Sequence, residues 1–297
     1  MHLFGPWKGD DIFMKKIIFL LTAMLLFSGC GAKNRQCENT ESTEKAVNET
    51  AEKKRDNTDP KREIFVLDGL DNTLIGWGIK KNEGAAPEVP SDIKEMLKKY
   101  NGFYMGDENS NRIYLTFDEG YENGYTADIL DTLKKNDVKA AFFVTGAYVE
   151  REAELVKRMA KEGHIIGNHS VNHPSLPEIG DKELEKELKE LDNMVEKITG
   201  IKMKYVRPPK GEYSERVLAH ISNMGYTSVF WSFAYLDWDV TMQRGADYAY
   251  NQIMPYTVGG EVLLLHAVSA DNADVLDRFI KDARSKGFEF GSIDEIG

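Results

Sequence analysis

Arg112-Ile113-Tyr114-Leu115-Thr116-Phe117-Asp118-Glu119-Gly120 is a short apolar run that ends in two adjacent carboxylates and a glycine. A run of this length, rich in aromatic and β-branched residues, reads as a strand, and the polar end reads as the turn out of it. Outward from this segment the pattern repeats. Strand candidates follow at 140–145, 164–167, 204–207, 228–232, 261–266 and 288–290, with helical candidates at 126–135, 152–162, 182–199, 214–224, 246–254 and 272–286. In the last helix Val275, Phe279 and Ala283 recur every four residues, as one buried stripe should. Strands alternating with helices predict an α/β fold with a parallel sheet covered by helices, either a barrel or a doubly wound layer. The candidates number seven, one short of the common eight-stranded barrel. An irregular opening at 74–78 and a helix around 91–100 come before them, and no internal repeat is apparent.

In parallel α/β architectures the site lies at the C-terminal ends of the strands. Asp118 and Glu119 follow the first candidate strand, His169 and His173 the third, and Arg207 ends the fourth; Asp237 follows the fifth and His266 ends the sixth. Their common rim marks them as candidate functional residues.

Composition narrows the chemistry. The 297 residues suit one catalytic-sized domain with appendages, and a hydrophobic fraction of 41% is enough to build a core. Asp and Glu total 49 against 38 Lys and Arg, a formal charge of -11 that speaks against a nucleic-acid partner, whose phosphates call for basic patches. The two cysteines, Cys30 and Cys37, fall in the first 40 residues, so a metal in the main body must use His and carboxylate.

The N-terminus reads as targeting sequence. Met14-Lys15-Lys16, the apolar run 17–27 and Ser28-Gly29-Cys30 form a basic region, a hydrophobic region and a small-residue cleavage site. Residues 1–29 are therefore an expected signal peptide. Asp10 and Asp11 suit such a leader badly, which makes Met14 the expected working start. The end of the run resembles a bacterial lipobox, with Cys30 as the lipid-modified first residue; a plain signal peptide is the alternative. Residues 30–62, with no aromatic, Leu, Ile or Met beyond Cys30, are an expected disordered tether. Residues 63–111 are expected to form an extension packed on the barrel and 112–297 the catalytic domain.

Three segments carry the chemistry. His169 and His173, four apart, can present two imidazoles from one helical turn or tight loop, a frequent metal-ligand arrangement; two packing histidines would read the same way. At the end of the first strand, adjacent residues diverge, so Asp118 and Glu119 can serve different partners, although an isolated Asp-Glu-Gly is more often an acidic turn. In Arg207-Pro208-Pro209-Lys210-Gly211-Glu212-Tyr213 two prolines stiffen the backbone after the arginine and Gly211 allows close approach to a ligand. Such a segment can aim a backbone N–H at an oxyanion while the guanidinium holds a carboxylate, or it can be an ordinary loop.

These segments resemble, in order, the five motifs of the polysaccharide deacetylases of carbohydrate esterase family 4: Thr116–Gly120, His169–Pro174, Arg207–Gly211, Asp237-Trp238 and Leu264–His266. Gly76-Trp77-Gly78, Phe103–Gly106, Gly120–Thr126, Trp231–Ala234 and Ser269–Ala273 further resemble the δ-lactam-biosynthetic de-N-acetylases, which remove acetyl from N-acetylmuramic acid in peptidoglycan on the way to the muramic δ-lactam of spore cortex. The resemblance implies a distorted (β/α)7 barrel. It implies Asp118 as general base, His266 as general acid oriented by Asp237, and Arg207 as partner of Asp118. It further implies a divalent metal, zinc or another transition metal, on His169, His173 and Glu119. Lys210 and Gly211 fall in the oxyanion and substrate segment with Tyr213, while Trp238 and Leu264 would wall the acetyl pocket. At Glu119 the resemblance departs from the general family, which has Asp there, although the muramic subgroup itself strays from Asp at this position; the extra methylene would shift the metal or fold the side chain back. Lys210 offers a cation for the lactyl carboxylate that distinguishes muramic acid from glucosamine. The expected partners are glycan strands and, through Cys30, the outer face of a bacterial membrane, with the chain acting as a monomer outside the cytoplasm. Deacetylation of N-acetylglucosamine in peptidoglycan or chitooligosaccharides is the nearest alternative, and an inactive cell-wall-binding lipoprotein a remote one.

Overall fold

Among the described residues Arg112–Glu119 forms the longest strand, with neighbours on both flanks. The computed structural model describes residues 63–296; the expected signal peptide, Cys30 and the tether lie outside the described residues. The main sheet contains β1 (Gly102–Phe103), β2 (Arg112–Glu119), β3 (Ala141–Val144), β4 (Ile165–Asn168), β5 (Tyr205–Val206), β6 (Thr227–Val229), β7 (Val262–His266) and β8 (Glu289–Phe290). Its spatial order is β7-β2-β3-β4-β5-β6-β1, with every pair parallel, and β8 lies beside the start of β2.

Seven positions do run around the sheet, but not the seven read from the sequence. The segment at 288–290 shares the flank of β2 with β7, pairing only Arg112 and Ile113. The seventh position belongs instead to Gly102–Phe103, a two-residue strand too short to produce a periodic signal. The curl is closed by chain beyond β6. Phe230 N–H donates to the Phe103 carbonyl (2.8 Å), Ser232 N–H to Val262 (3.0 Å), and Leu264 N–H returns to Phe233 (2.9 Å). The result is a distorted (β/α)7 barrel.

Helices α1 (Ser91–Lys99), α2 (Thr126–Lys135), α3 (Gly146–Arg151), α4 (Ala153–Lys161), α5 (Asp181–Thr199), α6 (Glu215–Asn223), α7 (Ala246–Ile253) and α8 (Ala270–Ser285) surround the sheet. The sequence reading missed α3, a six-residue helix capped by the Thr145 hydroxyl, which accepts from Tyr148 N–H at 3.4 Å. Among the described residues no helix is long and apolar enough to cross a membrane.

The pleat of β2 divides the core. Ile113, Leu115 and Phe117 join Phe142, Val144, Ile129 and Phe279 in the layer between sheet and helices. Tyr114 joins Ala141, Phe143, Tyr205 and Val229 in the barrel interior. Successive strand residues alternate faces, so Thr116 and Asp118 continue the interior row and Glu119 the outer one. Ahead of the barrel, Ile75–Gly76 pairs antiparallel with Glu212–Tyr213, and the Trp77 ring stacks on Phe230 at 4.6 Å.

Candidate active site

Parallel register sets the two central groups side by side: His266 on β7 is the pairing partner of Asp118 on β2, and Leu264 that of Thr116. Both central side chains therefore face the same mouth at the C-terminal ends of the strands.

Asp118, 7% exposed, is held by a fully buried arginine. Arg207 Nη1 donates to Asp118 Oδ1 (2.6 Å), Nη2 to Thr116 Oγ1 (2.8 Å) and Nε to the Val229 carbonyl (3.3 Å), while the guanidinium lies 4.1 Å from the Phe143 ring centroid. Burial pushes the Asp118 carboxyl upward, but the Arg207 charge, with His169 and His266, outweighs it and holds the group below the usual carboxylate range. Asp118 is thus ionised and has one oxygen, Oδ2, free of the arginine.

His169 donates Nδ1–H to the Arg207 carbonyl at 2.8 Å. Because a carbonyl only accepts, this bond fixes the tautomer and leaves a lone pair on Nε2. That atom lies 3.5 Å from Asp118 Oδ2 and 3.2 Å from His173 Nε2. Burial lowers both imidazoles, His173 to about 3, so both are neutral. The four-residue spacing is realised as a tight loop, with Ser170 and His173 at φ 63° and 56°. Asn168 Oδ1 accepts from Ser170 N–H, Ser170 Oγ from His173 N–H, and the buried Glu187 carboxylate from both nitrogens of Asn172.

On the other side of the mouth, Asp237 Oδ1 meets His266 Nδ1 at 2.8 Å and Oδ2 accepts His266 N–H at 2.8 Å. Burial lowers the imidazole, yet the Asp237 carboxylate, with Asp118 behind it, more than offsets this and raises it above the ordinary histidine value. Trp238, 46% exposed, sets its ring 5.6 Å from that of His266, and Leu264 is buried beneath. The mouth therefore holds an ionised carboxylate and an imidazole biased toward its protonated form, an arrangement that can take up one proton and deliver another.

Lys210 and Gly211 both occupy the left-handed region, at φ 61° and 67°. A Cβ at Gly211 would sit 2.8 Å from the Trp231 ring, so the loop needs glycine for contact as well as conformation. Lys210 is exposed and adds to the depression of His173.

Two expected site residues stand elsewhere. Glu119 is fully buried on the outer face of β2, where burial, with the Glu122 and Asp118 charges, pushes its carboxyl well above the ordinary value, and both its carboxylate oxygens lack a hydrogen-bond partner. It is not grouped with His169 and His173, because strand alternation turns residue 119 away from the face that residue 118 occupies. Tyr213 is also turned away: it is 1% exposed and packs with Phe230 and Tyr100 in the cluster beneath α1 and α6. Its edge pairing with Ile75 supports the 207–211 loop from outside.

Among the described residues no three His, Cys, Asp or Glu side chains converge as a metal cage. What fits a metal is the histidine pair: two neutral nitrogens 3.2 Å apart, one with its tautomer locked by a backbone carbonyl. Of the two adjacent carboxylates, Asp118 is the one that comes near this pair, with Oδ2 3.5 Å from His169 Nε2.

Sequence reading missed Thr116 as a ligand of the guanidinium, Asn272 as a donor to Asp237 and Glu187 as a brace for the histidine loop. Thr116 stands in the quoted strand, two residues before Asp118, and strand parity alone could have placed it. Glu187 lies mid-helix among many charges and carries no signal of its own.

Residues 105–229 match the family model for polysaccharide deacetylase. An uncharacterized 30.6 kDa protein of Geobacillus stearothermophilus is 48% identical over 76% of this chain and 86% of its own. The peptidoglycan-N-acetylmuramic acid deacetylase PdaA of Bacillus subtilis is 43% identical over 77% of this chain and 88% of its own. Its solved structure, a family 4 carbohydrate esterase, superposes with a TM-score of 0.75 at 44% identity, covering 76% of this chain and 98% of that one. A peptidoglycan-N-acetylglucosamine deacetylase of Bacillus cereus is 33% identical over 65% of this chain and 71% of its own. With a buried carboxylate, a carboxylate-paired imidazole and a histidine pair on one rim of a seven-position barrel, and relatives this similar over most of their length, the chain belongs to the polysaccharide deacetylase family.

Proposed function

We propose that the protein hydrolyses the N-acetyl amide of N-acetylmuramic acid in peptidoglycan, the step that leads toward muramic δ-lactam. The observation that carries this reading is the register pairing of Asp118 with His266, which sets base and acid across one mouth. Asp118, ionised under Arg207, accepts the proton of an attacking water through its free Oδ2. A positioned base of this kind contributes about 10²–10⁴-fold. The backbone N–H of Lys210, presented by its left-handed turn, faces the developing oxyanion. His266, kept protonated by Asp237, gives its proton to the leaving amine, and Trp238 and Leu264 border the acetyl group.

Deacetylases of this family are in general metalloenzymes. His169 and His173 are the residues that would hold a divalent metal here, and imidazole donors suit zinc or another first-row transition metal. Bound there, the ion would supply Lewis-acid polarisation of the acetyl carbonyl and of water.

Preference for muramic acid would rest on Lys210, an exposed cation of the 207–211 loop whose charge reaches His173 and which could meet a lactyl carboxylate. The N-terminal segment adds a location: residues 1–29 as signal peptide and Cys30 as lipid anchor would hold the barrel, through the tether, at the outer face of the membrane beside its glycan substrate.

The deciding experiment incubates the purified protein with peptidoglycan glycan strands and follows acetate release and muropeptide masses. Loss of acetyl from muramic residues, absent with Asp118→Asn, is expected. Loss from glucosamine alone would replace this reading with the glucosamine one, and no release would leave a binding lipoprotein.

A further inference from the structure

The segment 269–273 is outside the proton-transfer machinery described above, yet it is tied to that machinery atom by atom. Asn272, 1% exposed in the first turn of α8, donates Nδ2–H to Asp237 Oδ2 at 2.6 Å and to the His266 carbonyl at 3.0 Å. Its own Oδ1 accepts from the buried Tyr235 hydroxyl at 2.5 Å, and its backbone N–H donates to the helix-capping Ser269 Oγ at 3.2 Å. The neighbouring Asp271 accepts from the backbone N–H groups of Arg244 and Gly245 at 2.7 and 2.8 Å. Gln243 Oε1 receives Ser269 Oγ–H at 2.8 Å, and its Nε2 reaches the Asp239 carbonyl at 3.0 Å. The loop that carries Asp237 is therefore pinned at both ends to the N-terminus of α8.

We propose that Asn272 is the positioning residue of the proton donor, with Tyr235-Asn272-Asp237-His266 acting as one chain that holds the imidazole in its delivering orientation. The inference rests on the reading of His266 as general acid. His266 by itself holds each Asp237 oxygen through a single hydrogen bond. One amide that donates to both Oδ2 and the carbonyl of residue 266 ties the carboxylate down a second time; because both of those oxygens only accept, they fix which end of the amide carries the donors, and Tyr235 donates to the other end. His266 is faced by Asp237 from the loop after β6, by Asp118 from β2 and by Arg207 from the segment after β5, and its own charge is felt at His169 and His173. Of these groups, the Asp237 carboxylate is the one that Asn272 orients.

The test uses the full purified protein and acetate release from peptidoglycan glycan strands across pH, with Asn272→Ala, Tyr235→Phe and His266→Gln. Asn272→Ala opens a space where Asp237 turns toward water and no longer offsets the burial of the imidazolium. We expect kcat to fall about tenfold or more with KM little changed, and the alkaline limb of the kcat profile to move to lower pH. Tyr235→Phe, which removes one hydroxyl, should show the same pattern more weakly, and it decides the matter if Asn272→Ala does not fold. An unmoved alkaline limb in the folded variants, or one that moves upward, overturns the inference. If His266→Gln retains full kcat and the wild-type limb, the reading of His266 as acid fails instead; if that variant is inactive while the other two behave as wild type, only the role of Asn272 fails.

Discussion

Replacing Arg207 with methionine keeps an unbranched apolar stem and removes the guanidinium with its charge. In the folded protein Asp118 would then remain 7% exposed with no guanidinium on Oδ1, and Thr116 Oγ1 and the Val229 carbonyl would each lose a donor. Breaking a buried ion pair on one side costs about 3–5 kcal/mol, a large share of the roughly 5–15 kcal/mol that holds a domain together. For a domain of this size that corresponds to a Tm lower by roughly 6–20 °C. The pH response follows from the sign of the Asp118 shift. Its folded carboxyl lies below the ordinary range, so its contribution to stability is present above the unfolded carboxylate value and is lost as pH falls through the folded one. In Arg207→Met burial acts with less opposition, the carboxyl moves up, and the acid limb of activity should move to higher pH with it. Calorimetry and a pH–rate profile read both effects. The double variant Arg207→Met/Asp118→Asn should recover part of the lost Tm while staying inactive, because it removes the uncompensated charge together with the base. An unchanged acid limb in folded Arg207→Met, or additive losses of Tm in the double variant, would refute the account.

Glu119→Gln should bind zinc in titration calorimetry as wild type does, whereas His169→Ala should weaken zinc binding at least tenfold; an equal loss in both would restore Glu119 to the metal. The Glu119 carboxyl is raised well above its ordinary value by burial, so in wild type it takes up a proton on folding and its cost grows as pH rises from the unfolded value. The Tm advantage of Glu119→Gln should therefore widen between pH 5 and pH 8, and a constant or shrinking gap counts against burial as the cause. Lys210→Met should reduce the preference for muramic over glucosamine residues by about tenfold, the value of one charge-assisted hydrogen bond, measured as a ratio of kcat/KM; an unchanged ratio removes Lys210 from recognition. A chelator should abolish acetate release and added zinc should restore it, and full activity in metal-free protein would exclude a role for the histidine pair as metal ligands.

Much of the site is legible in the sequence because it is made of strand ends. The position of Asp118, His266 and Arg207 on one rim follows from alternation of strands and helices, and the resemblance assigns their tasks. Hydrophobic periodicity also places most helices within a few residues. It fails at Gly102–Phe103 and at α3, elements too short for a period to register. It also treated residues 288–290 as a separate barrel position, because apolarity does not say which flank of a neighbour a strand will join.

Composition and the alternation of secondary structure determine, without coordinates, a parallel α/β sheet with carboxylates, histidines and an arginine at its strand ends; the order of the motifs adds, by resemblance, the barrel and the tasks expected of those residues. Those are properties of residue type and spacing, and they survive any small change in geometry. What only the tertiary structure decided is direction. The pleat of one strand sends Asp118 inward to Arg207 and Glu119 outward into a dry layer between sheet and helices. Parallel register sets His266 against Asp118. The first turn of α8, distant in sequence from residue 237, supplies the amide that fixes the carboxylate. Adjacent residues with similar side chains acquire opposite fates because a strand has two faces, and a string of letters does not say which face is which.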